Sequence, residues 1–554
     1  MSVLTSLDVW GVMKQTSAGG FTYVSGYPRT FRATQLGPDT NNKIVSSTLA
    51  AYASDNASLP GKFIRVLRCG LGSATTKGNP LIREITEYAH ASSALTIEAL
   101  PFRVSTGDVF ALYDSPTGYF CETSGGSQTN IVDTNRTEAD DYFVGSAEQG
   151  GQYVIRKAAD NIAAAVNALV YDFDAATDTL STASLGANTA VGDLFQPIIW
   201  PESADGPLTL GQANIERGSV MGQMGQLRGV PGPREASGQK SLLFHGPGTA
   251  RVGHATEWDV FLGSVFTTST AAADWVLSTG STTSNLTVSS GTPVAGRLYA
   301  AETGDVFMAS AYSSPNVTAL PALRVAPQNA QNVYGMREYS VAEAVQWAIA
   351  HLQWHGRNVK DLIVGSVPTI TFEAVRGDYC KMMLNFTGAD GYRVHLDASN
   401  AALSRPYNAK TSTITPQQCG SVRMNLDGTE IELLKLTVDM GITLELQQNL
   451  SAPNAVDGPS IRQVRPTFAA DVLVDTDSEA AYQKLIQSKP MTMLAQVNEA
   501  VGLPGIFAMW AYEVELTTAE GPNDDAGQKT WSLQGKVTVD TTQTSLAQWK
   551  LATA

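Results

Sequence analysis

The chain has 554 residues and a formal net charge of −15, with 43% hydrophobic and only 16% charged residues. That length exceeds what one hydrophobic core supports, so several domains are expected, and the negative balance excludes a chain that grips nucleic-acid phosphates over its whole surface. The four cysteines, Cys69, Cys121, Cys380 and Cys419, form no C-x-x-C pair and fit a reducing compartment.

Residues 1–27 read as an N-terminal arm with little periodicity. Asp8 interrupts its apolar stretch, so it lacks the shape of a signal peptide, and no run in the chain approaches the length of a membrane span. A soluble protein made in a cytoplasm is the expectation. Residues 28–117 form a small β-module, with alternating strand candidates FIRVLRC (Phe63–Cys69), LIREITEY (Leu81–Tyr88), LTIEAL from Leu95, and VFALY. Residues 118–200 read as a second β-module with a helical region. There, KAADNIAAAVNALVY (Lys157–Tyr171) places Ile162, Val166, Leu169 and Val170 on one helical face and predicts a helix.

The stretch 201–253 is punctuated by Gly and Pro, and so long an irregular segment predicts a functional arm or a hairpin, with SLLF (Ser241–Phe244) as a strand. Residues 267–327 look like an inserted β-module. Arg337–Asn358 is ambiguous: Val341, Val345, Ile349 and Leu352 have helical spacing behind a Ser340/Glu343 capping box, while the aromatic and β-branched content around Trp347 and Trp354 allows a strand. TITFEAV (Thr369–Val375) and KMMLNFTG (Lys381–Gly388) are clear strands, and further strands follow to the C-terminus, interrupted by one short predicted helix at Asp477–Ser488.

One phrase recurs. TGDVF stands at Thr106–Phe110 and Thr303–Phe307, and VGDLF at Val191–Phe195. Gly tolerates positive φ and Asp bonds its own backbone, so each copy predicts a turn that opens a strand. Two explanations stay open: three repeated antiparallel β-modules, or a common way of starting any strand.

Catalytic and metal-binding patterns are weak. His351 and His355 have i, i+4 spacing, but HLQWH lacks the general base of a zinc protease motif. DTDSEAAYQKLI (Asp475–Ile486) begins like a calcium loop but has Ala480 where Gly is needed and Ile486 where Glu is needed. HGPGT (His245–Thr249) lacks the lysine of a phosphate loop, and the RGD at Arg376–Asp378 fits a hairpin turn. No enzyme, no cofactor and no metal are expected.

The order of segments over Thr209 to Asp540 resembles the major tail tube proteins of long non-contractile bacteriophage tails, in the large form with two fused tube domains. The resemblance is carried by MGQLRGVPGPREASGQKSLLFHGPG, then EWDVFLGSVF (Glu257–Phe266), then HGRNVKDLIVGSVPTITFEAVRGDYCKMMLNFTG, then IRQVRPTFAADVLVDTDSEAAYQKLIQ and GLPGIFAMWAYEVELT. It implies a mainly β fold: two fused tail-tube-type β-barrel or sandwich domains with short helices, 201–396 and 397–554, plus the small N-terminal and inserted β-modules. It favours a strand at Trp347–Trp354. It further implies homotrimeric rings of pseudo-sixfold symmetry stacked into a tube in the virion. Tape-measure and other tail proteins would be its partners, and viral DNA would pass through an acidic lumen without specific binding. Arg228, Arg234 and Glu235 in the arm are the candidates for contacts between rings. The first 200 residues and the insertion are expected outside the tube. Two alternatives are a tail-completion or baseplate hub ring on the same barrel, and a carbohydrate-binding decorating protein. An exposed aromatic cluster of Tyr88, Phe102 and Tyr113 would favour the latter.

Overall fold

The computed structural model describes residues 9–16, 19–69, 81–136, 138, 153–162, 165–201, 203–205, 208–217, 227–244, 246, 256–355, 359–395, 419, 421–474, 479, 483, 490–499, 505–525, 528–538 and 549–554. The fold is mainly β. Among the described residues, helix is confined to Ser47–Ala50, a 3₁₀ turn at His90–Ser92, Asp259–Val265 and the isolated positions Glu479 and Gln483. The last two lie in the expected helix 477–488, whose other residues fall outside the described ones. Among the described residues, no helix is long and apolar enough to cross a membrane.

Strand β1 (Val9–Gln15) is followed by a six-stranded unit: β2 (Thr30–Arg32), β3 (Lys43–Val45), β4 (Phe63–Arg68), β5 (Ile82–Ala89), β6 (Ala94–Ile97) and β7 (Val109–Tyr113), in the order β2-β7-β4-β5-β6-β3. A second unit holds β8 (Cys121–Glu122), β9 (Gly125–Gly126), β10 (Asn130–Val132), β11 (Tyr153–Lys157), β12 (Val166–Asp174), β13 (Thr179–Thr182) and β14 (Leu194–Ile198), in the order β8-β14-β11-β12-β13-β10-β9. Next come β15 (Ser203–Asp205), β16 (Leu208–Arg217), β17 (Leu227–Leu243) and, after the helix Asp259–Val265, β18 (Phe266–Ser269). A third unit closes into a barrel: β19 (Trp275–Leu277), β20 (Asn285–Ser290), β21 (Leu298–Ala301), β22 (Val306–Ser313), β23 (Asn316–Leu320) and β24 (Asn332–Gly335), in the order β19-β20-β23-β22-β21-β24. The chain ends with β25 (Arg337–Val341), β26 (Ala348–His355), β27 (Val359–Val375), β28 (Lys381–His395), β29 (Val422–Leu426), β30 (Thr429–Asp439), β31 (Ile442–Gln448), β32 (Val456–Val464), β33 (Thr467–Leu473), β34 (Met491–Val497), β35 (Phe507–Asp525), β36 (Gln528–Val537) and β37 (Trp549–Thr553). Outside the three small units, these strands and β1 build one 16-stranded sheet, except that among the described residues β31 and β32 pair only with each other.

The three small units share one connectivity, and the backbone proves it at a common point. The residue just past or ending the first strand is Ala33, Thr123 or Leu277. Its N–H donates to the carbonyl of Asp108, Asp193 or Gln331 at 2.9, 2.8 and 2.9 Å. Its carbonyl accepts from the N–H of Gly107, Gly192 or Ala330 at 2.8, 2.9 and 3.0 Å. The next residue, Thr34, Ser124 or Ser278, donates to the second strand at Val45, Val132 or Thr287. The bracketed turn needs positive φ: Gly107 has +92°, Gly192 +86° and Ala330 +64°. The recurring phrase thus marks a real repeat in its first two copies. In the third unit the equivalent turn is Ala330–Gln331, before the sixth strand, whereas TGDVF at 303–307 opens the fourth strand. There Asp305 bonds Arg324 and Arg423 at 2.7 and 2.9 Å, while Asp108 and Asp193 accept from Ser105 and Ala190 N–H groups.

The helix expected over Lys157–Tyr171 is a strand pair instead: β11 ends at Lys157 and β12 starts at Val166. β12 lies between β11 and β13, and its side chains alternate: Ala168, Val170 and Phe173 are buried and Tyr171 is 58% exposed. Pairing on both edges decides for strand, because helical spacing of a few apolar residues is also compatible with a wet-faced strand. Over Trp347–Trp354 the strand reading holds, with the strand at Ala348–His355. β26 lies between β1 and β27, and all of it but His355 is buried. A strand buried on both faces loses its period of two, which is why the spacing also read as a helix.

His351 shows how dry this centre is. It is fully buried, its ring lies 3.7 Å from that of Phe386 and 5.8 Å from that of Trp10, and its Nε2 is 2.6 Å from Ser366 Oγ, which itself donates to Ile349. Burial, then the nearby Lys240 charge, holds the imidazole well below its ordinary value of 6.5. The unfolded chain therefore takes up a proton that the folded one refuses. Stability is complete above about pH 6.5 and falls below it, by about 1.4 kcal/mol per pH unit until the folded group titrates. Urea titrations between about pH 5 and 7 should show this slope, and His351→Gln should flatten it.

Candidate assembly interface

The large sheet, together with the β31–β32 hairpin, is built from two repeats. The first comprises β1, β15–β18 and β25–β28; the second comprises β29–β37. In each, a first strand runs out beside a returning strand and forms an arm. Ser203 faces Leu242 and Asp205 faces Ser241, with a bulge between; Leu433 faces Val472 and Lys435 faces Asp471, with a bulge at the same place. Leu208↔Gly238 and Thr209↔Ser237 match Val438↔Phe468 and Asp439↔Thr467. Ser203 and Leu433, Asp205 and Lys435, Leu208 and Val438, and Thr209 and Asp439 are each 230 positions apart. The returning strands keep the spacing: residues 237–243 pair with β28, and 467–473 pair with β36. A bulge restarts register locally, so a shared bulge at a shared register marks one architecture used twice.

The repeats join by strand pairing. The end of β27, Thr371–Val375, pairs with Asp439–Lys435 at the base of the second arm. Continuing a sheet this way covers two edges that would otherwise template uncontrolled pairing. The register gives the counterparts. Thr371, opposite Met383, corresponds to Glu520, opposite Ser532, because Ser241↔Met383 matches Asp471↔Ser532. Asp439 corresponds to Thr209. Among the described residues, this end of β35 pairs with β36 only, and β16 with β17 only. Thr517, Thr518, Glu520 and Thr209 are exposed, whereas Phe372 and Ala374 at the joined edge are buried. Among the described residues the junction is completed once, and the corresponding edges of β35 and β16 pair with no further strand.

The second arm, β31–β32, bends over the first repeat. Asn454 donates to the Ala389 carbonyl of β28 at 2.9 Å, and a groove of about 730 Å³ lies between Ile442–Leu446 and the strand segments 237–239, 369 and 385–387.

The other sequence candidates fall as follows. Arg228, Arg234 and Glu235 lie on β17, with Arg234 opposite Gln212 and Glu235 opposite Gly211, so the arm is a hairpin. Residues 218–226 lie outside the described ones. His351 and His355 do not share a ligand site: the first meets Ser366, and the Nε2 of the second is 2.9 Å from Asp361. Arg376–Asp378 turns the β27–β28 hairpin, with Gly377 at φ +83°. The calcium-like segment 475–486 and HGPGT at 245–249 lie outside the described residues except for Glu479, Gln483 and Gly246. Tyr88 and Tyr113 are core residues at 0% and 2% exposure, so they present no aromatic cluster to a sugar. Sequence reasoning missed the junction; the paired bulges, separated by 230 residues, leave no local signal.

No protein-family model matches this chain, and no curated protein sequence matches it.

Proposed function

We propose that the chain is a structural subunit that joins copies of itself into closed rings, which stack into a tube of the kind formed by the tail tube proteins it resembles. The observation that carries the reading is the unjoined junction. β35 of one copy would take the edge that carries Asp205, Leu208 and Thr209 in the next, repeating the pairing between β27 and β30. Such head-to-tail contacts are heterologous, so they close into a ring when the rotation permits. Three copies with two repeats each give six near-equivalent positions. Arg228, Arg234 and Glu235 remain the proposed ring-to-ring contacts, and tape-measure and other tail proteins the proposed partners in the virion. With −15 formal charges per chain, the bore would repel phosphate and let viral DNA slide through.

The register names the test. In a variant carrying both Thr209→Cys and Glu520→Cys, the two thiols of adjacent copies face each other across the proposed junction. Mild oxidation is expected to give covalent closed trimers on non-reducing gels, and neither single variant should do so. Rings in electron micrographs without the covalent trimer would reject this junction. Monomers under all conditions would reject self-assembly, and rings that never stack would favour the hub alternative.

A further inference from the structure

The four cysteines are free thiols in this structure, and two of them, Cys380 and Cys419, lie in one buried cluster. Cys380 follows the turn of the β27–β28 hairpin, and Cys419 precedes β29. Their side chains are 1% and 0% exposed. The backbone fixes the approach from both sides: Cys419 N–H donates to the Asp378 carbonyl at 2.6 Å, and Gly377 N–H donates to the Cys419 carbonyl at 3.1 Å. Both side chains lie in the core cluster of the large sheet. The interaction between the two groups, with burial, pushes the Cys380 thiol well above its ordinary range, and the same interaction holds Cys419 below it. By contrast, Cys121 is pushed up to about 11, mainly by burial.

We propose that Cys380 and Cys419 are a modification site, an intramolecular disulfide formed when the protein leaves a reducing cytoplasm and meets a hydroperoxide. The Cys419 thiolate attacks one peroxide oxygen; an S–O bond forms, the O–O bond breaks, and the departing hydroxide takes a proton to become water. Cys380 then gives up its proton and attacks the resulting sulfenic sulfur. The S–S bond forms, the S–O bond breaks, and the second oxygen leaves as water. Two thiols and one hydrogen peroxide become one disulfide and two water molecules. The bond would clip a hairpin turn of the first repeat to the segment leading into the second, next to the junction at Val375–Lys435.

The experiment treats the folded full-length chain with hydrogen peroxide, quenches it, and alkylates it in denaturant. The expected result is a fall from four reactive thiols to two, a mass loss of about 2 Da before alkylation, and a linked peptide pair containing Cys380 and Cys419. The oxidised protein should melt at a higher temperature than the reduced one, and Cys380→Ser should abolish both the link and the difference. Retention of all four thiols, a link through Cys69 or Cys121, or over-oxidation of Cys419 without a link would each overturn the proposal.

Discussion

Gly304→Ala is expected to destabilise the protein far more than Gly107→Ala or Gly192→Ala, although all three glycines stand in the same phrase. All have positive φ, +89°, +92° and +86°, so each alanine meets the same backbone strain, about 1–2 kcal/mol. The surroundings differ. A Cβ at Gly107 would meet nothing within 4 Å, and at Gly192 only the Glu122 carboxylate at 3.8 Å. At Gly304 it would lie 1.8 Å from the Glu499 carbonyl oxygen. That backbone cannot give way easily. Gln496 Nε2 donates to the Gly304 carbonyl at 2.6 Å and its Oε1 accepts from Val306 N–H at 3.1 Å. Arg423 and Arg324 converge on Asp305, and Arg324 also reaches Glu499 at 2.9 Å. Leu298, Ala300, Val306 and Met308 of the third barrel share a core with Leu494, Ile506, Ala508 and Trp510 of the second repeat. Alanine must prise the barrel from that seat, an expected loss of about 3 kcal/mol or more. Denaturation midpoints of the three single variants check this; equal shifts would show that the barrel is not seated there. The same seat makes the 267–327 segment a poor candidate for clean excision.

Asp259→Ala is the second substitution with a large expected cost. Asp259 is 1% exposed at the start of the helix Asp259–Val265, and its Oδ1 accepts from Arg337 Nε at 2.5 Å and from Tyr339 Oη at 2.8 Å. Arg337 is 6% exposed and Tyr339 fully buried, both on β25. Removing the carboxylate takes away the acceptor that Arg337 and Tyr339 share in the core, and breaking a comparable buried pair costs about 3–5 kcal/mol. Asp259→Asn keeps an acceptor and should lose less. Arg376 and Glu432 form an ion pair with about half of each side chain exposed, so Arg376→Ala should cost under about 1 kcal/mol. Thermal unfolding of the three variants should rank them in that order. An Asp259→Ala protein that melts with the wild type would refute the buried-pair account.

What the sequence determined by itself is the local part. Strands over Phe63–Arg68, Thr369–Val375 and from Lys381 were legible because half-buried strands alternate and because Gly377 and Gly107 need the positive φ of a turn. The mainly β class follows from many such segments. The tertiary structure alone decided the rest. Val166–Asp174 is a strand because β11 and β13 flank it, and β26 because it is buried between β1 and β27. The third barrel's turn fell to Ala330, not Gly304, because closing the barrel fixes which loop must meet the first strand. The two repeats match in register and bulge at a spacing of 230 residues, yet their side chains differ, with Ser203 answering to Leu433 and Thr209 to Asp439. Backbone pairing asks little of side-chain identity, so edges that join distant strands are written in geometry, and a window of a few residues cannot hold them.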